Sequence, residues 1–225
     1  MLAAVVFDFD GIIVDTEPLH YKAFQEVLAP LGYGYSWEEY LRTYLGFDDR
    51  DAFREAFRVA RQNITHEVLS RLIDQKAEAF QQAIASGVEP YPGVVDLVRS
   101  IAGNVPLALC SGALPSDILP IIKQLGIADA FDVIVTAADV SASKPDPESY
   151  AQTVQKLTEA FPGKGITPAG CLAIEDTPAG IASATGAGLR VLAVTNSYPA
   201  ERLGSAFKVV SSLAGIDLAG LRLLL

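Results

Sequence analysis

Apolar positions along the chain follow two rhythms. Short continuous runs of Val, Ile, Leu and Ala recur at 3–7, 105–110, 132–136, 171–174, 189–194 and 207–210. Runs that do not alternate with polar residues predict strands buried on both faces. Between them the apolar spacing turns helical, as in Val94, Leu97, Val98 and Ile101. Asp146 is the expected N-cap, with Pro147 at the first helical position, of a helix carrying Tyr150, Val154, Leu157 and Phe161. Thr177 and Pro178 repeat that start signal and Gly186 is the expected stop. Strand alternating with helix predicts an α/β fold built on a doubly wound, Rossmann-like parallel sheet.

Residues 18–89 break this rhythm, because no β-branched run occurs there and the spacing is helical throughout. Phe24, Val27, Leu28 and Leu31 form one stripe. Thr65 is placed to cap a later helix whose apolar face is Val68, Leu69, Leu72, Ile73, Phe80 and Ile84. The prolines and glycine of 88–93 mark a hinge back into the sheet. The expected organisation is a core domain of 1–17 and 90–225 with an all-helical domain, 18–89, inserted after the first strand. The segment 218–225 is too short to span a membrane and is expected to cap the core.

Half of the 225 residues are hydrophobic and 20% are charged, enough apolar material for a real core. A net charge of −10 argues against nucleic acid or an anionic membrane surface as partner. An anionic ligand would then need local cations or a metal. Cys110 and Cys171 lie in separate apolar runs and read as reduced core residues. The first apolar run lacks a basic flank and ends in an acidic cluster, so neither a secretion signal nor a membrane span is expected, and the location is read as cytoplasmic.

In an open parallel sheet, ligands gather outside the carboxyl ends of the strands. After those ends come Asp8-Phe9-Asp10-Gly11, Ser111-Gly112 and Glu175-Asp176-Thr177, with Lys144-Pro145-Asp146 in the segment that follows the third strand. Each is a weak signal alone; their order and placement make the ensemble informative. Asp8, Asp10, Glu175 and Asp176 in one crevice would repel one another unless cations are present. Oxygen-only ligands without a His or Cys cluster favour Mg²⁺ over zinc. Lys144 and Ser111 supply a point charge and a hydroxyl for phosphate oxygens, and backbone N–H groups around Phe9, Asp10 and Gly112 complete a cradle.

These residues resemble the four motifs of the haloacid dehalogenase-like (HAD) superfamily of phosphohydrolases: Asp8-x-Asp10-Gly11-x-x-x-Asp15-Thr16-Glu17, Ser111-Gly112, Lys144-Pro145-Asp146-Pro147 and Glu175-Asp176-Thr177-x-Ala179-Gly180. The resemblance covers essentially the whole chain. A helical cap between the first two motifs is similar to the β-phosphoglucomutase-like and phosphoglycolate phosphatase-like branch. The resemblance implies that Asp8 is a nucleophile forming an aspartyl-phosphate, and that Asp10 protonates the leaving oxygen and then activates water. It implies Mg²⁺ on the Asp8 carboxylate, the Asp10 carbonyl and Asp176, with Glu175 direct or through water. Ser111 and Lys144 would bind the phosphoryl group. The expected substrate is a small phosphorylated metabolite such as a sugar phosphate. A carboxylate two residues after the nucleophile argues against halide displacement, which needs no proton.

The cap is where substrate choice is expected. Gly46-Phe47-Asp48-Asp49-Arg50 resembles the loop in which β-phosphoglucomutase-like enzymes set a Lys-Gly pair and an Arg over the substrate, but Leu45 replaces that lysine. Gly46 and Arg50 are therefore candidate substrate contacts, with Gly112 on the core side, while a mutase cycle is the second reading. His20 is either a proton relay or substrate contact, or an exposed histidine on the first cap helix. His66, Lys22, Lys76, Tyr40 and Tyr44 read as helix-start, surface and core residues. A receiver module that stores a phosphoryl signal shares the acidic pocket and lysine, but the inserted cap, Asp10 and the motif order disfavour it.

Overall fold

The computed structural model describes residues 2–44, 47 and 49–223. Its contacts divide the chain into two compact units, Met1–Asp15 with Glu89–Leu225, and Thr16–Val88.

The larger unit holds a six-stranded sheet of β1 (Ala4–Phe7), β2 (Leu107–Cys110), β3 (Val133–Val135), β4 (Cys171–Glu175), β5 (Arg190–Val194) and β6 (Lys208–Val210). Every pairing is parallel and the order is β3-β2-β1-β4-β5-β6. All six expected runs contain strands, but β3 and β6 are only partly buried rather than covered on both faces, because they form the two edges of the sheet. The chain builds outward from β1 through β2 and β3, then restarts on the other side with β4, so the order reverses between β1 and β4. A crevice opens at that point in doubly wound sheets. Helices α5 (Val94–Ile101), α6 (Pro115–Gln124), α7 (Glu148–Ala160), α8 (Pro178–Gly186) and α9 (Leu218–Leu223) complete the unit.

The central strands β1, β2 and β4 are buried along their length. One face of the sheet presents Ala4, Val6, Ala108, Cys110, Cys171, Ala173, Val191 and Ala193, in one cluster with Tyr150, Val154 and Leu157 of α7 and Ile181 and Ala184 of α8. Short side chains on the strands let the helices sit close, and the larger helical side chains fill the gap. The other face carries Val5, Phe7, Leu107, Leu109, Leu172 and Ile174, all buried. Cys110 and Cys171 are free and buried.

Helix α7 begins at Glu148, one residue later than expected, with Pro147 as N-cap. Asp146 still satisfies the helix start, since its Oδ1 accepts from the Glu148 N–H at 2.9 Å. The Thr177 hydroxyl accepts from the Gly180 N–H at 2.9 Å and opens α8, and Gly186 is the last residue of that helix.

The smaller unit is helical among its described residues: α1 (Glu17–Leu28), α2 (Trp37–Glu39) running into a π-helical turn over Tyr40–Tyr44, α3 (Asp49–Val59) and α4 (His66–Ala85). Its core gathers Phe24, Leu28, Tyr40, Tyr44, Phe53, Phe57, Leu69 and Leu72. Thr65 caps α4 as expected, its hydroxyl accepting from the Val68 N–H at 3.3 Å. Leu31 departs from the expected stripe and is exposed. Helix α1 ends at Leu28 and continues only as a tight turn, because Pro30 has no N–H for the ladder. No described helix is long and apolar enough to cross a membrane.

Candidate active site

The register of β1 against β4 pairs Phe7 with Ile174, which carries Asp8 alongside Glu175 at the carboxyl edge. The Asp8 N–H donates to the Ile174 carbonyl at 3.0 Å, so the pairing continues one residue beyond the strand. On the other side β1 pairs with β2 through Phe7 and Leu109, which brings up Cys110 and Ser111. Asp8, Ser111, Glu175 and Asp176 are all buried although polar.

Lys144 comes from the segment between β3 and α7. That segment is folded back by Glu148, whose carboxylate accepts the Ser141 N–H at 3.1 Å and the Ala142 N–H at 2.8 Å. The Ser183 hydroxyl of α8 donates to the Asp146 carbonyl at 2.6 Å and fixes its far end. The Lys144 ammonium then donates to Asp8 Oδ1 at 2.6 Å, to Glu175 Oε1 at 2.6 Å and to the Cys110 carbonyl at 3.2 Å. All three of its protons are used.

Glu175 is saturated as well. Oε1 accepts from Lys144 and from the Tyr150 hydroxyl at 2.8 Å; Oε2 accepts from the Asp176 N–H at 3.1 Å and the Thr177 hydroxyl at 3.3 Å. Gly180 of α8 lies directly against this carboxylate, and a Cβ there would overlap it. Asp176 is the opposite case. It is buried, and neither of its carboxylate oxygens has a hydrogen-bond partner.

One oxygen each from Asp8, Glu175 and Asp176 can be chosen so that all lie within 4.8 Å of one another. Three carboxylates against one ammonium leave excess negative charge, and the protonation equilibria register it. Burial raises the Asp8 pKa well above the usual carboxylate range, Glu175 and Asp176 add to the rise, and Lys144 opposes it. Asp176 is pushed up to about 7, again mainly by burial and with Glu175 adding, while the Ser197 hydroxyl, close by but short of hydrogen-bond geometry, and Lys144 hold it back. Burial pulls the Lys144 ammonium down, but Asp8 and Glu175 outweigh it and raise its pKa. Two orphaned oxygens on a buried carboxylate beside two further acids are what a hard divalent cation requires, so the donor set fits Mg²⁺.

Asp10 is half-buried in the turn after β1, where Gly11 takes a left-handed φ of 79°. A Cβ at Gly11 would run into the Asp176 carboxylate, and the Asn196 amide donates to the Gly11 carbonyl at 2.6 Å. The Ser111 hydroxyl accepts from the Ala113 N–H at 2.9 Å, and Gly112 is exposed with open space above it. The structure thus joins Asp8, Lys144 and Glu175 by hydrogen bonds and sets Asp176 beside them.

The other candidates belong to the helical unit. Arg50 is exposed on the first turn of α3, and Gly46 and Leu45 lie outside the described residues. His20 is not the exposed histidine that one reading allowed. Its ring stacks on Phe80 with centroids 4.1 Å apart, and its Nδ1 lies 2.9 Å from Lys76 Nζ. Lys76, read as a surface or core residue, is a buried ion-pair partner, donating to Asp49 Oδ1 at 2.7 Å with Phe24 and Phe80 packed about its ammonium. The Tyr150 hydroxyl was missed too, because helical spacing assigns that ring to a core-facing stripe and says nothing about where its oxygen points.

The haloacid dehalogenase-like hydrolase family model matches residues 5–194. The fructose-1-phosphate phosphatase YqaB of Escherichia coli is 31% identical over 187 residues, 83% of this chain and 93% of that protein. The protein CbbY of Rhodobacter capsulatus is 34% identical over 213 residues, covering 88% and 87%. Among solved structures, CbbY of Rhodobacter sphaeroides in complex with phosphate superposes with a TM-score of 0.84 at 26% identity, covering 99% of this chain and 100% of that one. A mutant of the same protein in complex with xylulose-1,5-bisphosphate gives a TM-score of 0.83 at 26% identity, covering 98% and 99%.

Proposed function

The chain belongs to the haloacid dehalogenase-like hydrolases and is a phosphohydrolase, and from that premise we propose that it is a Mg²⁺-dependent phosphatase of a small phosphorylated sugar, working through an aspartyl-phosphate on Asp8. The observation that carries the reading is the Asp8–Lys144–Glu175 bridge with the unpartnered Asp176 carboxylate beside it. A buried nucleophile, a fixed ammonium and a pair of acid oxygens without a hydrogen-bond partner are the parts that phosphoryl transfer uses.

In this reading Mg²⁺, held by Asp8, Asp176 and the Asp10 carbonyl, supplies positive charge against the phosphoryl oxygens. Glu175, its carboxylate already taking four donors, would hold Lys144 and assist in holding the cation, directly or through water. An Asp8 oxygen attacks phosphorus in line, the P–O bond to the sugar breaks, and Asp10 gives its proton to the departing oxygen. Asp10, now a carboxylate, takes a proton from water. That water attacks the aspartyl-phosphate, releasing inorganic phosphate and restoring Asp8. Lys144 and Ser111 hold the phosphoryl oxygens, with Lys144 also offsetting the repulsion between Asp8 and an incoming dianion.

We assign substrate choice to the helical unit, with His20, Gly46 and Arg50 as its candidate substrate contacts and Gly112 as the candidate on the sheet unit. A sugar phosphate is supported by the fructose-1-phosphate phosphatase and by CbbY with its bound bisphosphate. The test is inorganic phosphate release from sugar mono- and bisphosphates, small phosphorylated acids and nucleotides, with and without Mg²⁺, beside Asp8→Asn. Sugar phosphates are expected to lead the panel, and turnover is expected to vanish without Mg²⁺ and in the variant. Release that survives Asp8→Asn would refute the mechanism. Interconversion of two sugar monophosphates without net phosphate release would replace the hydrolase with a mutase.

A further inference from the structure

Tyr150 stands on the first turn of α7 and is fully buried. Its position in the helical stripe explains an aromatic ring there, and Phe would fill the same space. The hydroxyl needs its own account, since burying one is unfavourable unless it is hydrogen-bonded. It donates to Glu175 Oε1 at 2.8 Å, the same oxygen that takes the Lys144 ammonium at 2.6 Å. The ring of the same residue lies under that ammonium, with Nζ 4.9 Å from its centroid. One side chain thus touches both members of the ion pair, the cation through its π face and the anion through its O–H.

We propose that Tyr150 is a positioning residue for phosphoryl binding: it fixes the Glu175 carboxylate, and through it the direction of the Lys144 ammonium. This rests on the phosphatase reading above. Lysine has a long, flexible stem, and its head is placed by the acceptors it finds. Of the three acceptors here, Asp8 must turn to phosphorus and the Cys110 carbonyl is the most distant, at 3.2 Å. Glu175 is the anchor that persists through the reaction. It is wedged over Gly180 and held on Oε2 by Asp176 and Thr177, which leaves Tyr150 as the only neutral donor, among the described residues, on the oxygen that faces Lys144.

The experiment compares wild type, Tyr150→Phe and Tyr150→Leu by calorimetric titration with Mg²⁺ alone and with inorganic phosphate in the presence of Mg²⁺, beside steady-state hydrolysis. Tyr150→Phe keeps the ring and removes only the O–H. It is expected to weaken phosphate binding about tenfold and to lower kcat/KM at least as much, with Mg²⁺ affinity unchanged within about twofold. Tyr150→Leu, which also loses the ring face, is expected to lose more phosphate affinity still. Phosphate binding by Tyr150→Phe equal to wild type overturns the proposal. Mg²⁺ and phosphate affinities falling together, in step with thermal stability, would make the residue a packing element only and overturn it too. A wild type that binds no phosphate with Mg²⁺ removes the phosphatase reading, and the positioning role with it.

Discussion

Acidification singles out His20. A lysine ammonium has no acceptor, so at 2.9 Å Lys76 donates and His20 Nδ1 accepts. The imidazole is therefore neutral and carries its proton on Nε2. Protonating Nδ1 would set two cations against each other in a site walled by Phe80. Burial first, and the Lys76 charge second, lower the His20 pKa from 6.5 to about 3. In the unfolded chain the same group titrates near 6.5. Between those values the unfolded state takes a proton that the folded state refuses, so the stability present above about pH 6.5 drains away as pH falls toward 3. The slope is about 1.4 kcal/mol per pH unit, which makes about 2.7 kcal/mol between pH 6.5 and 4.5. Urea denaturation of wild type and His20→Gln at pH 7.5 and 4.5 isolates this contribution, since the other groups titrate in both proteins. The variant is expected to gain about 2.7 kcal/mol on wild type across that range, or about 5–10 °C in Tm for a chain of this size. The chain has only two histidines, so nitrogen NMR can read the His20 tautomer directly. A constant difference between the two proteins, or a His20 resonance that titrates near pH 6.5, would refute the argument.

Two substitutions probe the bridge at Lys144. Lys144→Met leaves the buried Asp8 and Glu175 carboxylates without their cation and is expected to cost about 3–5 kcal/mol. Differential scanning calorimetry should show a lower Tm that saturating Mg²⁺ partly restores, and an unchanged Tm would mean the bridge contributes nothing. Gly180→Ala should gain about 1 kcal/mol from helix propensity. The added Cβ must displace the Glu175 carboxylate, however, so a net loss of about 1–2 kcal/mol is expected together with slowed hydrolysis. Denaturation and kinetics on that variant decide the point, because an enzyme more stable than wild type with full activity would show that the wedge does not exist.

What could be read from the sequence was whatever one strand or one helix settles by itself. The inner strands were legible because a strand covered on both faces has no polar alternation to confuse with a surface helix, and the partly buried edge strands β3 and β6 were legible as short continuous apolar runs. Asp8, Ser111, Lys144 and Glu175 could be singled out because a rule about strand ends in open sheets makes a position along the chain into a position in space. Partnership obeys no such rule. Tyr150 and Glu175 are 25 residues apart on α7 and β4, and they meet because the face that carries Ala4 and Val6 also carries Glu175 at its end. His20 and Lys76 are 56 apart and meet only once α1 packs on α4. For Tyr150 the spacing assigned the ring correctly to a core-facing stripe and left out the hydroxyl at its tip, while His20, read as a relay, a substrate contact or an exposed histidine, gave no sign of its buried partner Lys76. The polar atom at the tip is where the chemistry sits. The Tyr150 hydroxyl and the His20 Nδ1 each complete a charged group that the sequence had placed alone, and this is why the substitutions that remove a single polar atom test the site more sharply than those that remove a motif residue.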